Sequence, residues 1–429
     1  MNREDIAAQL EEARQRTLAL VASLSADDLH RQHDELMSPI AWDLGHIAHF
    51  EDLWLVRNLE GPVEFGEMPG IYNPFEQPRR VRGQLELPSL DEIKALMDEI
   101  RDRVLARLAA VDLAGDDPLL REGYVYAMVR QHEYQHNETI LQTLQLKQGR
   151  PYQAPRVYGV PRRRSSPDGS MATFGGGRVQ LGTNDRRSAY DNERPMHERD
   201  LAPFAIDVYP VSNGDYLQFI RDGGYTRETV WSVEGWAWKQ SAGVEAPKYW
   251  LRDGNDWCVR VMDEINTVDP DRAVCHVCYH EAEAFARWAG KRLPTEAEWE
   301  VAAAWDAAEQ RARLFPWGDE PATPERANLD QLSFGVAPIG AYVANRSPLG
   351  CYGMIGDVWE WTSSDFLPYP DFEVFPYREY SEVFFGNEYK VLRGGSWATR
   401  PGAIRTSFRN WDYPIRRQIF SGFRCARDG

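Results

Sequence analysis

The pattern best suited to chemistry is His132-Glu-Tyr-Gln-His136. Histidines at i and i+4 lie on one face of a helix, so two imidazoles can converge on one ion. A third, His46, follows Asp43-Leu-Gly on a separate helical segment, and a bundle can bring it opposite the pair. His49, three residues on, could fill the same role. Three neutral imidazoles leave a divalent ion its full charge and several open positions. Such a centre can hold a thiolate, a second substrate and oxygen together.

Spacing alone specifies little, and two other readings compete. The same five residues fit His-Glu-x-x-His, with Glu133 as the general base of a zinc protease. The extended form of that motif fails, because Thr139 and Gln142 stand where it needs Gly and His. Cys275-His-Val-Cys278-Tyr-His280 looks like half a zinc site but has no second pair at a suitable spacing. The alternation of Val274, His276 and Cys278 predicts a strand that leads into a helix over 281–288.

The elements that must position these groups follow from periodicity. Apolar residues recur at helical spacing from Ile6 to Leu24, and Ser25 to Asp28 is expected to break that helix. A second helix is expected from Pro39 to Leu59, then a long Pro/Gly-rich loop from Gly61 to Pro88. Ser89 and Glu92 form a capping box for a third helix to Val111, and a fourth runs from Glu122 to Leu146. Four helices with one long crossing loop predict a four-helix bundle over 1–150. Residues 151–169, rich in Pro, Arg and Ser, read as a linker. From 170 to 429, short strand-like runs alternate with turns. Helices are expected there near Ser212–Asp222, near His280–Ala289 and from Pro294 onward. The fold class is therefore α+β, in two domains.

Composition narrows the partners. Lys plus Arg number 49 and Asp plus Glu 66, for a net charge of −17. That surface repels phosphate backbones and anionic bilayers, so neither nucleic acid nor a membrane is an expected partner. No apolar run approaches the roughly 18 residues of a membrane span. Five scattered cysteines argue against a disulfide framework. The charged opening helix does not read as a signal peptide, so a cytoplasmic location is expected.

Longer motifs carry a resemblance. The second half holds Pro210-Val-Ser-Asn-Gly-Asp-Tyr216, Trp288-Ala-Gly-Lys-Arg-Leu-Pro-Thr-Glu-Ala-Glu-Trp299 and Phe315-Pro-Trp-Gly318. It continues with Gly353-Met-Ile-Gly-Asp-Val-Trp-Glu-Trp-Thr362, Leu392-Arg-Gly-Gly-Ser-Trp397 and Gly422-Phe-Arg-Cys425. This set resembles the formylglycine-generating-enzyme-like fold, a variant of the C-type lectin fold. That family's own enzymes use paired cysteines near the end of the fold, and Ser407-Phe-Arg-Asn-Trp-Asp-Tyr-Pro414 has none. The first half resembles the DinB-like metal-binding bundle. The two in this order resemble the sulfoxide synthases of ergothioneine biosynthesis.

The resemblance implies iron(II) as cofactor, held by His46, His132 and His136. It implies hercynine, γ-glutamylcysteine and dioxygen as substrates, joined by oxidative C–S bond formation and sulfoxidation. Gln135, Tyr380 and Asn410 match hercynine contacts, and Tyr377 matches a tyrosine that acts near oxygen. Arg79 and Arg82 resemble arginines that hold the thiol substrate's carboxylates, and Asp412 the residue that meets its amino group. Hercynine's trimethylammonium calls for aromatic faces, for which Tyr380 and Trp411 are candidates. Free cysteine as the thiol, a selenium-transferring sister enzyme and a non-catalytic lectin-like binding protein remain open alternatives.

Overall fold

The computed structural model describes residues 2–59, 70–156, 159, 161 and 170–429. Most of the expected linker, with the Arg162–Arg164 run, lies outside them, as does the start of the Gly61–Pro88 loop. The chain divides into two compact units. One runs to Tyr152 and takes in Asp185–Ser188; the other comprises Gln153–Asn184 and Ala189–Gly429.

The first unit is helical: α1 Arg3–Val21, α2 Ala26–His30, α3 Ile40–Leu55, α4 Leu90–Leu108 and α5 Tyr124–Leu146. Reciprocal capping boxes start three of them, Asn2 with Asp5, Ser25 with Asp28 and Ser89 with Glu92. The first helix ends at Val21, ahead of the expected break at Ser25 to Asp28, and those residues also start a short second helix. The described part of the long loop is not bare either. It contains 3₁₀ turns at Gly70–Tyr72 and Arg79–Gln84.

Helix α3 is the core of this unit, since every residue in it except His49 is buried. A helix buried on all sides must pair its polar groups. Glu51 receives Arg14 Nη2 at 2.5 Å and Arg101 Nε at 2.7 Å. Asp43 meets a histidine of α5, described below.

The second unit mixes small sheets with short helices. Strands Met171–Phe174 and Ala426–Asp428 flank Phe204–Asp207 in one antiparallel sheet, so the first and last strands of this unit share it. A four-stranded sheet runs in the order Asn410–Asp412, Gly386–Arg393, Trp359–Phe366, Ser421–Gly422. Helices α6 Asn213–Arg221, α7 Val233–Ala242, α8 Tyr279–Trp288 and α9 Glu296–Ala304 pack in this unit. No strand forms at Val274–Cys278. Ala273 makes a single bridge to Ser212, and His276 sits at φ +66°, a left-handed conformation that no regular strand contains. Cys278 instead precedes α8, its N–H bonded to Glu281 at 2.9 Å.

With so little regular backbone pairing, buried arginines tie the second unit together. Arg393 reaches Glu296 at 2.6 Å and Glu300 at 2.7 Å, and Arg409 reaches Glu296 at 2.7 Å. Arg424 holds Glu360 at 2.7 Å, and the half-buried Arg417 holds the buried Glu281 at 2.8 Å. Arg405 clasps Glu193 with Nε at 2.7 Å.

Candidate metal centre

His132 and His136 lie one turn apart on α5, and α3 brings His46 against them. Candidate ligand atoms of the three rings all fall within 4.8 Å of one another, and they form the metal-capable group among the described residues. His49 is not a member. Its ring packs on Tyr72 at 4.6 Å instead.

Each ring is set by neighbours. His46 Nδ1 lies 3.0 Å from the Tyr72 carbonyl, which fixes that nitrogen as the donor and leaves Nε2 for an ion. His136 Nδ1 lies 3.2 Å from Asp43 Oδ1, the carboxylate–histidine arrangement that strengthens a ligand. His132 stacks on Phe50, ring centres 3.6 Å apart and 11° from parallel. Burial and the nearby His136 hold both His46 and His132 well below the usual histidine range. They are therefore neutral, as metal ligation requires. The three rings, two of them with second partners on the other nitrogen, fit a divalent ion.

Trp42 builds the wall behind His46. The rings stack 4.8 Å apart at 12°, and the Trp42 indole N–H donates to the Ile71 carbonyl at 2.6 Å. Arg82 lies over the same indole with its Cζ 3.5 Å from the ring centre. Arg82 is 5% exposed and donates to Gln77 O and Ser38 Oγ, each at 2.7 Å. Burial and the adjacent Arg79 press its guanidinium down to about 9, so it stays charged at neutral pH. Arg79 opens the same 3₁₀ turn and is half-buried.

Glu133 faces elsewhere. It is 2% exposed and accepts from Arg14 Nε at 3.0 Å and Thr17 Oγ1 at 2.7 Å in the bundle interior. A carboxylate clamped on a buried guanidinium cannot serve as a general base at the histidines, which removes the zinc-protease reading.

The remaining candidates fall in two places. Gln135, on α5 between the two histidines, is half-buried. Tyr377, Tyr380, Asn410, Trp411 and Asp412 all belong to the second unit. Tyr380 is edge-on to Tyr377 at 6.2 Å and to Trp411 at 5.9 Å, and Trp411 lies flat on Phe366 at 4.0 Å. Asn410, Trp411 and Asp412 form one strand, so Asn410 and Asp412 share a face and Trp411 takes the other. Asp412 pairs with Arg416 at 3.3 Å. Sequence spacing offered no pointer to Asp43, Tyr72, Trp42 or Phe50 as supports.

Residues 9–140 match the DinB superfamily and residues 158–429 match the sulfatase-modifying factor enzyme 1-like domain. A hercynine oxygenase of Mycobacterium tuberculosis is 45% identical over 431 residues, covering 99% of each chain. One of Mycolicibacterium smegmatis is 44% identical over 435 residues, again covering 99% of each. A formylglycine-generating enzyme of Bos taurus is 31% identical over 299 residues, 63% of this chain and 77% of its own. Fold and histidine cluster together define a two-domain protein in which a DinB-type bundle with a metal-capable centre precedes a sulfatase-modifying-factor domain. The chain belongs to the hercynine oxygenase family. Among the described residues, no helix is long and apolar enough to cross a membrane.

Proposed function

We propose that this chain is an iron-dependent sulfoxide synthase that joins γ-glutamylcysteine to hercynine at the expense of dioxygen, as in ergothioneine biosynthesis. The observation that carries this is the trio of convergent imidazoles, within 4.8 Å of one another, in a chain 45% identical end to end to a hercynine oxygenase. A thiol, an imidazole C–H and one dioxygen balance against a C–S sulfoxide and one water. Two two-electron oxidations consume the four electrons that dioxygen accepts, so no nicotinamide or flavin is needed. An iron(II) ion held by His46, His132 and His136 would supply a redox-active Lewis acid that makes the thiol a thiolate.

The chain's own residues do the rest. Asp43 and the Tyr72 carbonyl hold His136 and His46 in the tautomers that present Nε2. Gln135, Tyr380 and Asn410 orient hercynine, and the Tyr380 and Trp411 rings accept its trimethylammonium. Arg79 forks a carboxylate of γ-glutamylcysteine, while Arg82 contributes charge from its buried seat and Asp412 meets the amino group. The Tyr377 phenol holds a proton for delivery near the reacting sulfur.

Oxygen uptake by iron-loaded protein with hercynine, plus either γ-glutamylcysteine or cysteine, tests this, with products read by mass spectrometry. A sulfoxide adduct with γ-glutamylcysteine that disappears in His132→Ala is the expected result. An adduct with cysteine alone would overturn the arginine assignments. No uptake with either thiol at full iron loading would overturn the reading as a whole.

A further inference from the structure

Tyr190-Asp191-Asn192-Glu193 is a polar string in the second unit whose three acidic or amide residues are each 0% exposed. Burying three such groups in succession is costly unless each is consumed by a specific bond. Their partners are not random. Asp191 accepts the Phe375 N–H at 3.2 Å through Oδ2 and the Ser381 hydroxyl through Oδ1. Asn192 donates from Nδ2 to the same Ser381 Oγ at 3.0 Å, and the Tyr190 ring stacks on Tyr380 at 4.0 Å and 19°. Phe375 and Ser381 bracket the segment that carries Tyr377 and Tyr380.

The string also reaches the other set of candidate residues. Arg409, which immediately precedes Asn410, donates to the Asn192 carbonyl at 2.8 Å. Ser407 donates to Glu193 at 2.8 Å. One turn of chain therefore touches both ends of the tyrosine segment and the approach to Asn410–Asp412.

We infer that Asp191 is a positioning residue: by holding Phe375 N–H and Ser381 O–H at once, it clamps the 375–381 segment and fixes where Tyr377 and Tyr380 stand. The consequence for turnover rests on the function proposed above; the clamp itself does not. Two bonds from one carboxylate close a seven-residue span, and the segment between them has no regular secondary structure of its own. Loss of either bond releases one end. The Phe375 end lies two residues from Tyr377 and the Ser381 end one residue from Tyr380, so the two ends are separable. Burial pushes the Asp191 carboxyl up to about 6, against which the Ser381 and Phe375 bonds work. At neutral pH it is thus an ionised acceptor, the form that holds both donors best.

The test is trypsin cleavage after Arg378, an exposed arginine inside the clamped segment, followed by mass spectrometry on the full chain. Asp191→Asn keeps one oxygen for Ser381 but turns a donor or nothing toward the Phe375 N–H. Ser381→Ala keeps the charge and frees the other end, and serves if Asp191→Asn does not fold. Cleavage after Arg378 is expected to rise about tenfold in either variant, with other sites unchanged. With iron content equal to wild type, Asp191→Asn is expected to lower kcat with little change in KM for the thiol, and Ser381→Ala to raise KM for hercynine. Unchanged cleavage after Arg378 in a folded variant overturns the clamp, whatever the activity. Faster cleavage with wild-type kinetics overturns the positioning role. Tyr377→Phe, made in parallel, then shows whether the tyrosine's part in the proposed reaction fails with it.

Discussion

Gly45 offers the sharpest test of how the metal centre is built. A methyl group there would sit 2.2 Å from Tyr72 Cε1 and 2.3 Å from its Cζ, far inside contact distance. The obstacle is a ring that is 3% exposed and packed on His49, so it has little room to swing away. In an open helix, Gly→Ala would stabilise by about 1 kcal/mol. Here overpacking costs about 1–3 kcal/mol and the net change is destabilising. The larger effect falls on the ion. Moving Tyr72 moves the carbonyl 3.0 Å from His46 Nδ1. Losing such an outer partner typically weakens metal binding by about 10–100-fold. Equilibrium dialysis against iron(II) or cobalt(II), read by elemental analysis, measures this without turnover. In Gly45→Ala/Tyr72→Ala the ring is gone while the carbonyl stays, so affinity should return part of the way. Wild-type affinity in Gly45→Ala, with an unchanged melting temperature, would refute the idea that Tyr72 sets His46.

Other substitutions separate the remaining roles. Glu133→Gln removes one of the two carboxylates that hold Arg14, with Glu51 remaining, and should cost about 1–3 kcal/mol in urea unfolding; a variant as stable as wild type would mean the Glu133 contact is dispensable. Arg82→Ala should lower the melting temperature and weaken the metal, because its guanidinium packs on Trp42 and bonds Ser38. Arg79→Ala should raise only the thiol's KM, and identical phenotypes for the two would refute the distinction. Burial holds the His276 imidazole down to about 3, so the unfolded chain takes a proton that the folded protein refuses. Stability is then full above about 6.5 and is lost as pH falls towards 3, by on the order of a few kcal/mol from this group. Asparagine tolerates the φ of +66° at this position. His276→Asn should therefore fold and show a shallower acid limb in thermal melts. An unchanged limb would place the acid sensitivity elsewhere.

Local signals were the readable ones. Helices α1, α4 and α5 announce themselves by apolar period and capping pairs such as Ser89 with Glu92, because the groups that decide them lie within a few residues. Helix α7 escaped notice for the opposite reason. Val233 is 82% exposed and Gly235 alone is buried, so no apolar stripe marks it. His132 and His136 were legible from spacing, which left His46 and His49 both open; only the family resemblance chose His46. Asp43 as a partner of His136 was not legible, since the two are separated by 93 positions. Nor was the Tyr72 carbonyl, since a backbone atom leaves no trace in residue identity. Glu133 shows the converse risk: the motif reads as catalytic, while long-range contacts to Arg14 and Thr17 make it structural.

The buried arginine–glutamate pairs of the second unit also constrain how its sequence can drift. Removing one partner strands a charge at about 3–5 kcal/mol, whereas replacing both by well-packed apolar residues can be neutral. Two tolerable states are thus separated by an intolerable single step. Glu296 is shared by Arg393 and Arg409, which makes that position a three-way lock. Change there must arrive in concert or after prior gains in stability from elsewhere. The segments carrying Asn410–Asp412, which leave Arg409, inherit that slowness from the ion pairs beneath them.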